Sequence, residues 1–172
     1  MTYEQQITDD IAVTLETLQV QPILFVGSGM SQRYFHAPNW KGLMQILAET
    51  CPKIPKKFAY YEQQFQKENT IDYMAMATSF IDAYSEWAWE DEKNEYFPEE
   101  LFESGTNKEE YIKHIVSKKI EDISNKAILE KSHLYEEIKL LQQIKPHAII
   151  TTNYDSILEK IFPDYLKVIG EK

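Results

Sequence analysis

Two short polar stretches hold the residues best suited to chemistry in this 172-residue chain. The first, GSGMS at residues 27–31, follows an apolar run and contains two of only five glycines. The second, TTNYD at residues 151–155, ends another apolar run with hydroxyl, amide and carboxylate groups. Glycines let a backbone approach a bound nucleotide closely, so the first stretch could contact a ligand that the second helps to hold.

The spacing of the two glycines does not identify the ligand. Gly27 and Gly29 can adopt positive φ angles and let the backbone approach a ligand, but Gln32 stands where the dinucleotide fingerprint G-x-G-x-x-G needs its third glycine. A phosphate loop of the Walker type is excluded because no Gly-Lys-Ser/Thr follows. A tight structural turn therefore explains this stretch as well as a ligand contact does.

The polar residues of the second stretch also allow a structural interpretation. Asp155 could cap the helix that follows, and the hydroxyls of Thr151 and Thr152 could satisfy loop backbone. Capping does not account for Asn153. A functional role for this stretch therefore stands beside the structural one.

A parallel β-sheet would bring the two stretches together. Residues 23–26 and 147–151 are short, uninterrupted apolar runs, as expected for strands buried on both faces, and residues 166–169 could begin a third strand. Ligands of open parallel sheets bind beyond the carboxyl ends of the strands, where both stretches lie. We therefore predict an α/β fold, a Rossmann-like parallel sheet flanked by helices, with one site formed by both stretches.

Helical patterns surround these strands. Apolar residues spaced four, four and three apart predict an amphipathic helix over residues 3–19. Residues 32–39 are predicted to form a loop, at the end of which Asn39 caps the next helix. Ser132 is predicted to cap a later helix, and a last one follows the second polar stretch.

Residues 51–127 differ in character from the rest of the chain. They are rich in aromatic and charged residues, have helical periodicity and contain no convincing strand. Thr106 and Glu109 have the spacing of a capping box at the start of one helix. We predict that residues 51–127 form an all-helical insertion within a single domain of residues 1–172.

Composition excludes several classes of protein. With 28 acidic and 18 basic residues the formal net charge is −10, so direct binding to nucleic acid or to an anionic membrane is not expected. The single cysteine, Cys51, allows neither an intramolecular disulfide nor a multi-cysteine zinc site. The polar N-terminus is no signal peptide, and no apolar run approaches the roughly 20 residues of a membrane span, so a cytoplasmic protein is expected.

The two stretches, in this order, resemble the SIR2-like family, which is related to the sirtuins, in its bacterial form. FVGSGMS at residues 25–31 is similar to the family's G-A-G-x-S loop, and IITTNYD at residues 149–155 is similar to the sirtuin T-Q-N-I-D motif. APNW at residues 37–40 resembles a small-Pro-x-Trp segment. Ser132-His133 matches a histidine that precedes the second motif in many members.

This resemblance implies that the chain binds NAD as a substrate across the sheet and hydrolyses its nicotinamide–ribose bond. Asn153 would be the catalytic residue that positions water or the nicotinamide ribose, and Asp155 would hold the carboxamide. The implied NAD contacts are Gly27, Ser28, Gly29, Met30, Ser31, Trp40, Thr152, Asn153 and Asp155. Members of this branch are associated with bacterial defence against phage and are usually the N-terminal domain of a larger protein or assembly. The resemblance therefore implies an intact protein that is an oligomer or is fused to or associated with a sensor domain.

The family's catalytic histidine, part of a later His-Gly pair, has no counterpart in this chain. We therefore expect the chain to be the N-terminal part of a longer protein or a truncated reading frame, without the C-terminal part of the sheet. On its own it is not expected to turn over NAD. Of the histidines, only His36, in the loop over the predicted crevice, is considered as a ligand contact.

Three other functions are compatible with the sequence. Without the histidine, the chain could be a non-catalytic module that senses a nucleotide. The aromatic and acidic stretch with Trp87, Trp89, Tyr96 and Phe97 could present a surface to a protein partner, or it could pack inside the helical part. An NAD-dependent protein deacylase is a further alternative, although the family's zinc cysteines are missing and no acyl-lysine channel can be identified.

Overall fold

The computed structural model describes residues 2–90 and 96–170. The α-helices in these residues are Tyr3–Leu18 (α1), Ser28–Phe35 (α2), Trp40–Thr50 (α3), Phe58–Gln64 (α4), Tyr73–Trp89 (α5), Glu109–Lys126 (α6), Tyr135–Gln143 (α7) and Ile157–Ile161 (α8). The β-strands are Ile23–Val26 (β1), Gln66–Lys67 (β2), Thr70–Ile71 (β3) and Ala148–Thr151 (β4). None of the helices so described is long and apolar enough to cross a membrane.

The chain divides into two compact units, and the first combines Met1–His36 with Ala127–Lys172. In this unit β1 and β4 pair in parallel, although they lie far apart in the sequence. One face of the pair packs on a buried apolar cluster formed by Tyr34, Ala127, Ile138, Ile157, Leu158, Ile161 and Phe162. The predicted α/β class is therefore confirmed as a small two-stranded parallel sheet flanked by helices, while the Rossmann-like fold stays a prediction. The predicted burial of the strands on both faces is wrong, because Ile23, Phe25 and Ile150 are exposed.

The predicted third strand at residues 166–169 is wrong. The structure gives these residues no strand, and the side chains of Leu166, Val168 and Ile169 are exposed. Apolar, β-branched residues favour a strand only where a neighbouring strand pairs with their backbone. In the described part of the chain, the parallel sheet consists of β1 and β4 alone.

The predicted loop at residues 32–39 is also wrong over most of its length. Helix α2 begins at Ser28 and runs to Phe35, and it buries Ser31 and Tyr34 on one side. Polar residues within it suggested a loop, but the two inward-facing residues three apart give the segment a helical face. The helix ends at His36, which adopts a left-handed conformation with φ of 55°.

The three predicted N-caps have different outcomes. Asn39 caps α3 as predicted, since its Oδ1 accepts a hydrogen bond from the N–H of Gly42 at 2.9 Å. The capping box at Thr106 is wrong because α6 begins only at Glu109. Ser132 does not cap α7, which begins three residues later; its hydroxyl donates to the backbone oxygen of Tyr34 at 2.8 Å instead.

The second unit, Ala37–Lys126, has a core of its own. Helices α3, α5 and α6 supply most of the buried residues, and the hydroxyl of Tyr84 donates to the backbone oxygen of Leu47 at 2.9 Å. Strands β2 and β3 form a two-residue antiparallel hairpin, although no strand was predicted in this region. The assignment of residues 51–127 as an insertion within one domain stays a prediction.

The aromatic stretch of the second unit divides between the core and the surface. Trp87 and Phe97 are buried and their rings meet edge to face at 5.2 Å, which agrees with packing inside the helical part. Trp89 and Tyr96 are exposed. Part of the predicted motif, at residues 91–95, lies outside the described residues.

Candidate functional site

The carboxyl ends of β1 and β4 lie side by side. Their parallel register pairs Val26 with Thr151, the last residue of each strand. The chain therefore leaves both strands at the same edge of the sheet and enters the two polar stretches there. Residues 27–31 and 151–155 meet at this edge.

The side chain of Asn153 joins the second stretch to the first. Its Nδ2 donates hydrogen bonds to the backbone oxygen of Gly27 and to Ser31 Oγ, each at 3.2 Å. Its backbone N–H donates to Thr151 Oγ1 at 3.0 Å, which fixes the turn after β4. Thr151 thus satisfies loop backbone, while Asn153 is held from both its backbone and its side chain.

Ser31 and Asp155 form a second link between the stretches. Ser31 Oγ donates to Asp155 Oδ2 at 2.8 Å, and Asp155 Oδ1 accepts from the N–H of Ile157 at 3.1 Å. Asp155 is not the N-cap residue of α8, which is Ser156, but it accepts from the first N–H of that helix and also binds the first stretch. Ser31 is only 1% exposed, so water competes little for its hydroxyl.

The side-chain oxygen of Asn153, Oδ1, is buried and has no hydrogen-bond partner among the described residues. The orientation of the amide follows from its neighbours. The oxygen of Gly27 can only accept, and Ser31 Oγ gives its proton to Asp155, so both must face the Nδ2 of Asn153. A buried acceptor left unpaired costs about 1–3 kcal/mol, and a hydroxyl or N–H of a bound molecule would satisfy it.

The amino end of α2 lies at the same edge of the sheet. Gly27 is its N-cap residue and provides no side-chain hydrogen bond to the first turn. The first N–H groups of such a helix attract anions, phosphate among them. The cluster of Asn153, Ser31 and Asp155 therefore lies beside a position suited to a negative group.

Neither of the two glycines uses its freedom to adopt a positive φ angle. Gly27 has an extended conformation, and Gly29 lies inside α2 without a positive φ. A Cβ added at either residue would meet no atom within 4 Å. Both glycines therefore leave open space at the helix terminus, and neither is required by a left-handed turn.

The other predicted contact residues differ in their surroundings. Ser28 and Thr152 are exposed at the sheet edge. Met30 is partly buried and packs on the apolar cluster of the first unit. Trp40 begins α3 in the second unit, where its side chain is exposed. The cluster thus brings the side chains of Ser31, Asn153 and Asp155 to the backbone of Gly27, whose oxygen also accepts from the N–H of Met30 at 3.2 Å.

A cavity of about 280 Å³ opens beside the cluster within the first unit. Thr151, Asn153 and Asp155 line its polar side, and Leu158 and Phe162 of the α8 region line its apolar side. The irregular residues 165–170 form the rest of the wall. A pocket that joins an apolar wall to a few convergent polar groups is the usual form of a small-molecule site.

An ion pair that no sequence pattern predicts joins α2 to α7. Arg33 Nη2 lies 2.8 Å from Glu137 Oε1, and its Nε donates to Oε2 of the same carboxylate at 3.1 Å. Hydrogen bonding by Arg33 lowers the pKa of Glu137, and the same contact raises the pKa of Arg33. No local pattern marks this pair, because its partners lie 104 residues apart.

None of the four histidines joins the cluster. His36 stacks on His133 with ring centroids 5.1 Å apart, at the carboxyl end of α2 and so at the far end of that helix from Gly27. His147 precedes β4, at the opposite edge of the sheet from the polar stretches. His114 belongs to α6 in the second unit. The predicted ligand contact of His36 stays a prediction.

Comparison of the chain with protein-family models, curated proteins and solved structures finds no match. The resemblance to the SIR2-like family therefore rests on the residues of the two motifs. The geometry described above is independent of that resemblance.

Proposed function

We propose that the edge of the β1–β4 sheet binds NAD and orients it for cleavage of the nicotinamide–ribose bond. The observation that carries this proposal is the linked cluster of Ser31, Asn153 and Asp155, in which one buried acceptor, Asn153 Oδ1, remains unpaired. Residues that served only to close two loops would leave no such acceptor, because an unpaired buried oxygen is costly. A ligand that donates a hydrogen bond to it removes this cost.

The amino end of α2 supports the assignment of a dinucleotide. The diphosphate of NAD carries negative charge, which the first turn of a helix attracts. Gly27 and Gly29 have no side chains in the open space at this end, so a phosphate can approach the backbone N–H groups. A ribose hydroxyl next to the diphosphate then donates to Asn153 Oδ1.

The cavity beside Asp155 supports the placement of the nicotinamide ring. Leu158 and Phe162 offer it an apolar wall, and the carboxylate of Asp155 retains lone pairs for the N–H of a carboxamide. Cleavage breaks the bond between C1′ of the ribose and the ring nitrogen, which keeps the electron pair. Water adds to C1′ and releases a proton to solvent.

The catalytic power expected of this chain is low. Nicotinamide is a good leaving group, so orientation and a polar group near C1′ account for much of the task. Asn153 has no basic group with which to remove a proton from water, and no histidine lies in the cluster. We therefore expect binding tight enough to measure and no turnover of NAD by this chain on its own. The absence of a histidine from the cluster equally suits a second candidate, a nucleotide-sensing module that binds without cleavage.

Calorimetric titration of the chain with NAD and with ADP-ribose tests this proposal. We expect saturable binding of both, weakened at least tenfold in Asn153→Ala, because each tenfold corresponds to about 1.4 kcal/mol and the variant loses several contacts. Gln32→Ala, an exposed substitution on α2, is the matched control and keeps the wild-type affinity. Absence of binding, or equal binding by Asn153→Ala with intact circular dichroism, would overturn the proposal.

A further inference from the structure

One face of the β1–β4 sheet, formed by Ile23, Phe25, Ala148 and Ile150, is largely exposed to solvent, and we call it the bare sheet face. Leu24, Val26 and Ile149 point into the apolar cluster of the first unit, whereas the alternate residues face away. The exposed fractions of Ile23, Phe25 and Ile150 on that second face are 58%, 74% and 49%. Parallel sheets are normally covered on both faces, so this surface is suited to an apolar partner.

Helix α1 carries a second apolar surface, which is mostly exposed, with only Leu15 partly buried. Its 16 residues include none that is buried. Ile7, Ile11 and Leu18 lie on one side of the helix at helical spacing, and all three are exposed. A helix of this length is only marginally stable alone in water, so burial of its apolar side would contribute most of its stability.

These two surfaces belong to the same unit and do not cover one another. Gln19 ends α1 in a left-handed conformation, and the chain reaches β1 within three further residues. The oxygen of Pro22 accepts a hydrogen bond from the N–H of His147 at 2.8 Å, which ties the end of this short connection to the sheet. Helix α1 therefore leaves Ile23, Phe25 and Ile150 of the sheet exposed.

We infer that two copies of the chain associate, with α1 of each copy docked on the bare sheet face of the other. Such an exchange buries the apolar side of α1 and the bare sheet face of both chains in one symmetric dimer. It forms an interface beyond the NAD site and does not depend on the function proposed for that site.

The exposed area is close to what a stable dimer needs. Seven exposed side chains form the two faces: Tyr3, Ile7, Ile11 and Leu18 on α1, and Ile23, Phe25 and Ile150 on the sheet. At roughly 100 Å² each, about what full burial of an apolar side chain removes from water, they offer roughly 700 Å² per chain. A specific interface buries about 800 Å² from each partner.

Charge decides which surface α1 meets. The helix contains Glu4, Asp9, Asp10 and Glu16 and no basic residue, so two copies of α1 packed side by side would repel each other. The bare sheet face consists of uncharged side chains, Ile23, Phe25, Ala148 and Ile150. An acidic helix can pack on this face without placing like charges together.

Sedimentation of the full chain at micromolar concentration tests the exchange. We expect twice the monomer mass for the wild type and a monomer for Ile11→Asp and for Phe25→Asp. Val13→Asp is the matched control: Val13 is 61% exposed on the opposite side of α1, and its variant stays dimeric. A monomeric wild type, or dissociation caused equally by Val13→Asp, would overturn the inference.

Cysteine pairing identifies the contact even if a charged variant fails to fold. The native Cys51 is buried, so engineered cysteines report alone. When Ile11→Cys and Phe25→Cys chains are mixed and oxidised, we expect disulfide-linked heterodimers as the main product. Ile11→Cys homodimers as the main product would show α1 against α1, and no cross-link in the mixture would show that α1 does not reach the other sheet; either result overturns the exchange.

Discussion

Ser31 Oγ and Asp155 Oδ2 lie 2.8 Å apart although 124 residues separate them in the chain. The hydroxyl donates to the carboxylate and accepts from Asn153 Nδ2, so one buried serine connects both polar stretches. The contact exists because the parallel strands β1 and β4 end at the same edge of the sheet. The pairing of the two strands in the first unit therefore positions the polar side chains of the candidate site.

Ser31→Ala is expected to lower the free energy of unfolding by about 1–3 kcal/mol, because it removes the donor to Asp155 and the acceptor of Asn153 at a buried position. Urea denaturation measures the change. Ser28→Ala on the same helix is the control, since Ser28 is exposed and surface substitutions usually stay within about 0.5 kcal/mol. Equal effects of the two substitutions would show that the contact adds no stability.

Gly29→Ala is expected to separate stability from ligand binding. The added methyl group meets no atom within 4 Å, and alanine is favoured over glycine in a helix by up to about 1 kcal/mol, so thermal stability should hold or rise. The same methyl group enters the space assigned to the diphosphate, so affinity for NAD, measured by calorimetry, should fall at least tenfold.

Gly42→Ala is the comparison for the effect of Gly29→Ala on thermal stability. Its Cβ would come within 3.1 Å of the Cβ of Pro38, so the helical gain should be offset by crowding in α3. Unchanged NAD affinity in Gly29→Ala would remove the end of α2 from the proposed site.

The second unit is expected to fold when residues 37–126 are produced alone. Its core residues lie between positions 44 and 115, all inside this segment. Circular dichroism should show a helical fragment that unfolds cooperatively. Phe80→Ala in the fragment should cost about 3–5 kcal/mol, because the buried ring of Phe80 leaves a cavity. A fragment without cooperative unfolding would contradict the division into units.

His114 is expected to make the stability of the second unit depend on pH. Burial lowers its pKa below the ordinary 6.5, so the unfolded chain takes up a proton more readily than the folded one. Stability is therefore complete above pH 6.5 and falls as the pH drops from there toward the lowered pKa.

His114→Phe should remove this part of the acid destabilisation, as measured by urea unfolding between pH 7 and pH 5, the range around the ordinary histidine pKa. His147→Gln, at an exposed position, serves as the control and should keep the wild-type profile. A wild-type profile in His114→Phe would assign the pH dependence to other groups.

Local patterns in the sequence were sufficient to predict several elements. Strands β1 and β4 are predicted by their apolar runs, and helix α1 is predicted by the spacing of its apolar residues. These patterns suffice because each involves only residues close together in the chain. Asn39 was identified as a cap for the same reason, since its side chain bonds three residues along the chain. The hydrogen bond that Asp155 accepts from the N–H of Ile157 is equally local.

Local patterns misled where the tertiary structure decides. Residues 166–169 have the composition of a strand, yet no strand pairs with them, because strand formation depends on a neighbour that composition does not specify. The polar residues within 32–35 favoured a loop, but burial of Ser31 and Tyr34 extends α2 through this segment. Burial depends on residues distant in the chain.

The sequence by itself determined which residues at the candidate site carry polar groups and which strands they follow. Only the tertiary structure decided how these groups connect: that Ser31 binds Asp155, that Asn153 faces Gly27, and that Asn153 Oδ1 stays unpaired. The reason is physical. A hydrogen bond requires two atoms to meet within about 3 Å, and for residues more than a hundred positions apart only the pairing of β1 with β4 brings them to that distance.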